Sequence, residues 1–97
     1  MGLFSHERNS TSDAGRVANA TRLEQHGVTP RLVVGYVLMV SKRRGELAEI
    51  THLVAGGRVP GSNRLLRRAH ECLEDAEARL HNQIEKALRK QGLEVDA

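Results

Sequence analysis

Gly27-Val28-Thr29-Pro30-Arg31-Leu32-Val33-Val34-Gly35-Tyr36-Val37-Leu38-Met39-Val40 is the stretch on which the fold depends. Its first four residues read as a helix end and a helix start placed back to back. Gly suits the left-handed position that closes a helix, Thr is a good N-cap, and Pro fits the first helical turn. The apolar run that follows, Leu32 to Val40, is ambiguous on its own, because a short apolar run does not reveal its period and also suits a buried strand. The Thr-Pro start favours a helix, and Leu47 and Ala48 continue it beyond the run.

Working outward, a second helix is expected over residues 30–55. Val33, Val37, Val40, Leu47 and Val54 recur at alternating steps of four and three, interrupted at Arg44 and Thr51, and Leu32, Tyr36, Met39, Ile50 and Leu53 widen the stripe. Gly56-Gly57-Arg58-Val59-Pro60-Gly61 is the strongest breaker in the chain and predicts a tight interhelical loop. Ser62 or Asn63 is then expected to cap a last helix over 62–91. Its apolar face is regular, with Leu66, Ala69, Leu73, Ala76, Leu80, Gln83 and Ala87 at heptad spacing. Upstream, Ser12 or Asp13 would cap a thin helix over 12–26, whose apolar residues are Val17, Ala18, Ala20 and Leu23 and whose internal Gly15 weakens it. Residues 1–11 are polar and predict a disordered tail; residues 93–97 predict a short C-terminal one.

The expected fold is therefore all-α: a single domain over residues 12–92, with a weak N-terminal helix and a long antiparallel helical hairpin. Composition agrees. Of 97 residues 39% are apolar, yet Phe4 and Tyr36 are the only aromatics and Trp is absent. Such a core must come from Leu, Val, Ile and Ala, which suits close helix packing better than a sandwich or barrel. A lone hairpin would leave one side of these wide stripes in water, so self-association is expected, in the simplest case a homodimer completing a four-helix bundle. Leu66, Ala69, Leu73, Ala76, Leu80, Val33, Val37, Val40 and Leu47 are the residues expected to carry it.

The net charge is +3, and all of the excess falls in residues 31–60, where Arg31, Lys42, Arg43, Arg44 and Arg58 meet only Glu46 and Glu49. Around the loop, Arg58, Arg64, Arg67 and Arg68 have no acid among them. These residues, with Lys42, Arg43 and Arg44, form the candidate basic patch for an acidic protein surface.

The chemistry-bearing patterns are weak. Glu46, Glu49 and His52 share a helix flank, and Glu49-Ile-Thr-His52 has a Glu-x-x-His form, but His70, Glu71 and Glu74 do not supply the matching set, so no metal is expected. Cys72 falls on the apolar face and reads as a small hydrophobe; being single, it forms no intramolecular disulfide. No glycine-rich phosphate loop occurs. Small helical dimers of the chorismate mutase class bind a dicarboxylate through buried Arg and Lys. Arg44 would be the counterpart here, but no Lys follows on the same helix and the rest of the pattern is absent. The expectation is no catalysis and no cofactor. The start of the chain lacks a secretory pattern, and nine apolar residues fall short of the roughly 20 that a span requires, so a cytoplasmic protein without membrane contact is expected.

The alternative is DNA binding through the same cations. Leu23 to Val34 resembles a helix-turn-helix with Gly27 at the turn, and reading Tyr36–Val40 as a strand gives a layout similar to a ribbon-helix-helix domain. Neither places polar side chains where bases are read, so an acidic protein is preferred to nucleic acid as the partner.

Overall fold

A computed structural model of the chain describes residues 12–57 and 61–96. They form three helices, α1 (Asp13–Gln25), α2 (Arg31–Ala55) and α3 (Ser62–Lys90), and no strand occurs among the described residues. Tyr36–Val40 lies inside α2, which removes the strand that a ribbon-helix-helix layout requires. The expected tail 1–11 and the loop residue Arg58 lie outside the described residues.

The local signals act largely as the residue chemistry suggests. Ser12 caps α1, its hydroxyl accepting from the Gly15 N–H at 3.0 Å. Gly27, at φ +92°, closes that helix in the left-handed region, where a side chain would be strained. α2 begins one residue later than expected: the Pro30 carbonyl accepts from the Val34 N–H at 3.1 Å, so Pro30 is the cap and Arg31 the first helical residue. At α3 the Gly61 carbonyl takes the N–H of Leu65 at 3.1 Å, which puts Ser62 inside the helix and Gly61 at the cap.

The described residues pack as two compact units, one of 12–34 together with 81–96, the other within 35–80. In the first unit, Leu23, Val33, Ile84, Ala87 and Leu88 form the core, with Leu88 fully buried. Burying one such side chain contributes roughly 1.5–3 kcal/mol. The face that α1 buries is Gly15, Asn19 and Leu23, at steps of four, while Val17 is 66% exposed. Apolar content alone pointed to Val17. Asn19 displaces it because its amide nitrogen and oxygen each find a partner in the segment after α3, so neither atom is buried without a hydrogen bond.

That segment is aimed by a Schellman motif. The Leu93 N–H donates to the Leu88 carbonyl at 2.9 Å and the Gly92 N–H to the Arg89 carbonyl at 3.0 Å, turning the chain back. The Asp96 N–H then donates to Asn19 Oδ1 at 2.7 Å, and Asn19 Nδ2 donates to the Asp96 carbonyl at 3.1 Å. Arg22 donates to the Glu94 carbonyl at 2.7 Å and reaches the Asp96 carboxylate at 3.4 Å. Residues 93–96, which from composition read only as a tail, are held by four polar contacts.

In the second unit α2 and α3 run antiparallel, Arg44 meeting Glu77 at 3.1 Å, with Val40 and Ala76 at the centre of the packing. The inward stripe of α2 is displaced from the expected one. Val33, Tyr36, Val40, Arg43, Leu47, Ile50 and Val54 are buried or half-buried in an unbroken alternation of three and four, with Glu46 half-buried beside them. Val37, expected in the stripe, is 47% exposed. Arg44 and Thr51, the apparent interruptions, are exposed and lie outside it. Thr51 turns its hydroxyl back to the Leu47 carbonyl at 2.7 Å. The apolar face of α3 follows the expected heptad, with Ala76 and Ala87 buried and Leu66, Ala69, Leu73 and Leu80 half-buried.

Candidate functional site

Two helices contribute the candidate cations, and packing gives them different environments. On α2, Lys42 and Arg44 are exposed and Arg43 is half-buried in the inward stripe. Arg43 donates to Glu46 at 2.9 Å, one turn further along the same helix. The hydrogen bond to Glu46, with its charge, holds the Arg43 guanidinium above its ordinary pKa, so Arg43 is a fixed cation already matched by an anion. Arg44 is matched across the hairpin by Glu77. The α2 part of the expected patch is therefore largely neutralised within the chain, leaving Lys42.

On α3 the situation is the reverse. Arg64, Arg67 and Arg68 lie in its first two turns, all exposed, and no acid occupies the first turn. None of the three forms an ion pair or side-chain hydrogen bond among the described residues, whereas Arg22, Arg43, Arg44, Arg79 and Arg89 each approach a carboxylate within 3.4 Å. Their placement opposes local stability, since the N-terminal end of a helix carries partial positive charge and disfavours cations. An anion approaching this end meets both the arginines and the helix dipole.

The surface here is shaped by two neighbouring depressions. One, of about 390 Å³, is lined by Arg64, Arg67, Arg68, Glu71, Cys72 and Asp75. The other, of about 300 Å³, shares Arg68 and Cys72 with it and has Ile50, Leu65 and Ala69 as its apolar lining. Cys72, expected to be a buried small hydrophobe, is half-buried where the two meet. Among the described residues no three of His, Cys, Asp and Glu come together as a metal-binding group, Glu46, Glu49 and His52 included.

Of the residues expected to carry self-association, Val33, Val40 and Ala76 are buried inside the chain itself, and Leu66, Ala69, Leu73, Leu80 and Leu47 are half-buried. Val37 alone of the expected set is exposed, and the other large apolar residues that α2 exposes were not in it: with Val37 they are Leu32, Val34, Leu38, Met39 and Leu53, between 41% and 66% exposed. Leu38, the most exposed of them, was legible only as part of an undivided apolar run. Among the described residues no helix is long and apolar enough to cross a membrane.

Comparison with known proteins gives no matching family model, no similar curated protein and no similar solved structure.

Proposed function

We propose that the protein is a small non-catalytic helical interaction module, an adaptor, regulator or inhibitor, that offers Arg64, Arg67 and Arg68 to an acidic partner and self-associates through apolar helix surface. The observation that carries this reading is the contrast between those three arginines, exposed and unpaired among the described residues, and the arginines elsewhere that are matched by carboxylates. Three cations gathered at the positive end of a helix cost local stability, and a departure of this kind from local preference is the mark of a binding role. Lys42 adds a further exposed cation on α2.

Self-association draws support from α2, where Val37, Leu38 and Met39 are 47%, 66% and 41% exposed. Consecutive exposed apolar residues of this size characterise interaction surfaces more than solvated ones. Light scattering at micromolar concentration is expected to give more than a monomer mass, and a monomer would remove this part of the proposal.

The partner is read by a pull-down from the native cell extract, with and without nuclease, using the wild type and the triple variant Arg64→Glu, Arg67→Glu, Arg68→Glu. A protein captured in both conditions by the wild type and lost in the variant, with helicity retained, is the expected result. Capture that persists in the variant removes the arginine reading. Capture that disappears with nuclease assigns the same cations to nucleic-acid phosphates.

A further inference from the structure

The outer face of α3 carries its charges in an order that makes no sense for the helix alone. Positions 64, 68, 71 and 75 fall on one stripe about 16 Å long. The N-terminal half is basic, Arg64 and Arg68 with Arg67 beside them; the C-terminal half is acidic, Glu71 and Asp75 with Glu74 beside them. All six are exposed. A base four residues before an acid is the less favourable order for pairing within a helix, and the Arg67–Glu71 pair is not among the ion pairs formed. Asp75 instead turns to Arg79 at 3.0 Å, in the favourable order, and both those side chains are at least 60% exposed. Glu71 and Glu74, like the three arginines, pair with nothing among the described residues.

The stripe is, however, complementary to itself when reversed. We infer that the acidic surface met by Arg64, Arg67 and Arg68 is the acidic half of the same stripe on a second copy of this chain, the two α3 helices lying antiparallel about a two-fold axis. Arg64 then stands opposite Asp75 of the second copy, and Arg68 opposite its Glu71. Both pairs are centred on the peptide between Ala69 and His70, so a single axis satisfies both, and the symmetry doubles them to four. The residues lining the larger depression are the set that the axis brings, crosswise, against the same set on the second copy. A parallel pairing sets arginine on arginine and is disfavoured. Single exposed ion pairs contribute little, so the association depends on the four acting as a network and is sensitive to salt. This inference rests on the reading that the three arginines meet an acidic surface, and it names that surface.

The test is sedimentation equilibrium of the full chain between about 10 mM and about 1 M salt, over which the screening length falls from about 30 Å to about 3 Å. The self-association constant is expected to fall at least about tenfold over that range. Association through the apolar residues of α2 would instead be unchanged or strengthened. Two variants complete the test: Arg64→Glu with Arg68→Glu, which makes the stripe wholly acidic, and Glu71→Arg with Asp75→Arg, which makes it wholly basic. Each alone is expected to lose the salt-sensitive association, and an equimolar mixture to form a heterodimer. The milder Arg64→Gln with Arg68→Gln, whose helicity is not at risk, is expected to weaken the wild-type association in the same direction. Variants that associate as the wild type does, a mixture that stays monomeric, or a wild type without salt-sensitive association would each overturn the inference. If the wild type fails here yet captures a nuclease-resistant partner through its arginines, the wider reading stands and only the second copy as partner is lost.

Discussion

Asn19 grips Asp96 by both sides of its backbone. The Asn19 side-chain oxygen takes the Asp96 N–H at 2.7 Å while its amide nitrogen gives to the Asp96 carbonyl at 3.1 Å, and Asn19 itself is 1% exposed. A side-chain amide thus does for one residue what a neighbouring strand does for many, and it explains how a polar residue sits on the buried face of α1. Asn19→Ala should remove both bonds and destabilise the chain by about 1–3 kcal/mol, with faster amide exchange at Asp96. Unchanged exchange at Asp96 would mean that Arg22 alone holds the segment.

The displaced stripe of α2 makes a second pair of outcomes. Val40 is 4% exposed and Val37 47%. Val40→Ala should cost about 1–3 kcal/mol in urea unfolding. Val37→Ala should fall within about 0.5 kcal/mol of the wild type. Equal effects at the two positions would restore the stripe that includes Val37.

Leu88 and Leu38 provide the same contrast for burial in the first unit against exposure in the second, at 0% and 66%. Leu88→Ala should destabilise by about 2–5 kcal/mol, since the lost methyl groups leave a cavity. Leu38→Ala should be nearly neutral for stability, within about 0.5 kcal/mol. It should nevertheless weaken any self-association through α2, so thermal unfolding and light scattering should respond differently.

Two glycines should respond with opposite signs to the same substitution. Gly45 lies within α2 with open space around it, and Gly92 closes α3 at φ +73°. Gly45→Ala should stabilise by about 0.5–1 kcal/mol through helix propensity. Gly92→Ala meets no atom either, so its cost, about 1 kcal/mol, comes from backbone strain alone. The difference in melting temperature between the two variants is the measurement.

The Arg44–Glu77 pair joins side chains 65% and 31% exposed. A double-mutant cycle should give a coupling of about 0.2–1 kcal/mol at low salt, shrinking as salt is added. A salt-independent coupling would indicate packing of the arginine stem rather than charge.

Much of the architecture follows from local chemistry that residues carry with them. Ser12, Gly27, Pro30, Gly61 and Gly92 mark helix ends because their backbone preferences act within a turn or two. α3 shows its buried face in its spelling, since charged residues occupy the opposite side. α2 does not. It is apolar nearly all round from Leu32 to Val40, so Val33, Val37, Val40 and Val33, Tyr36, Val40 fit the same heptad equally well. Only the surface of α3 chooses between them, and with that choice it sends Arg43 inward and Arg44 outward although the two are neighbours. Asn19 belongs to the same class: an asparagine is buried only where a distant segment satisfies its amide, and that partner lies 77 residues away. The arginines divide in the same way. That Arg64, Arg67 and Arg68 cluster is plain from their spacing, but that they stand unpaired among the described residues while Arg43 and Arg44 are matched is a property of packing. Local signals act through the backbone of a few residues, whereas the choice of face and of ion partner depends on what the folded chain brings alongside.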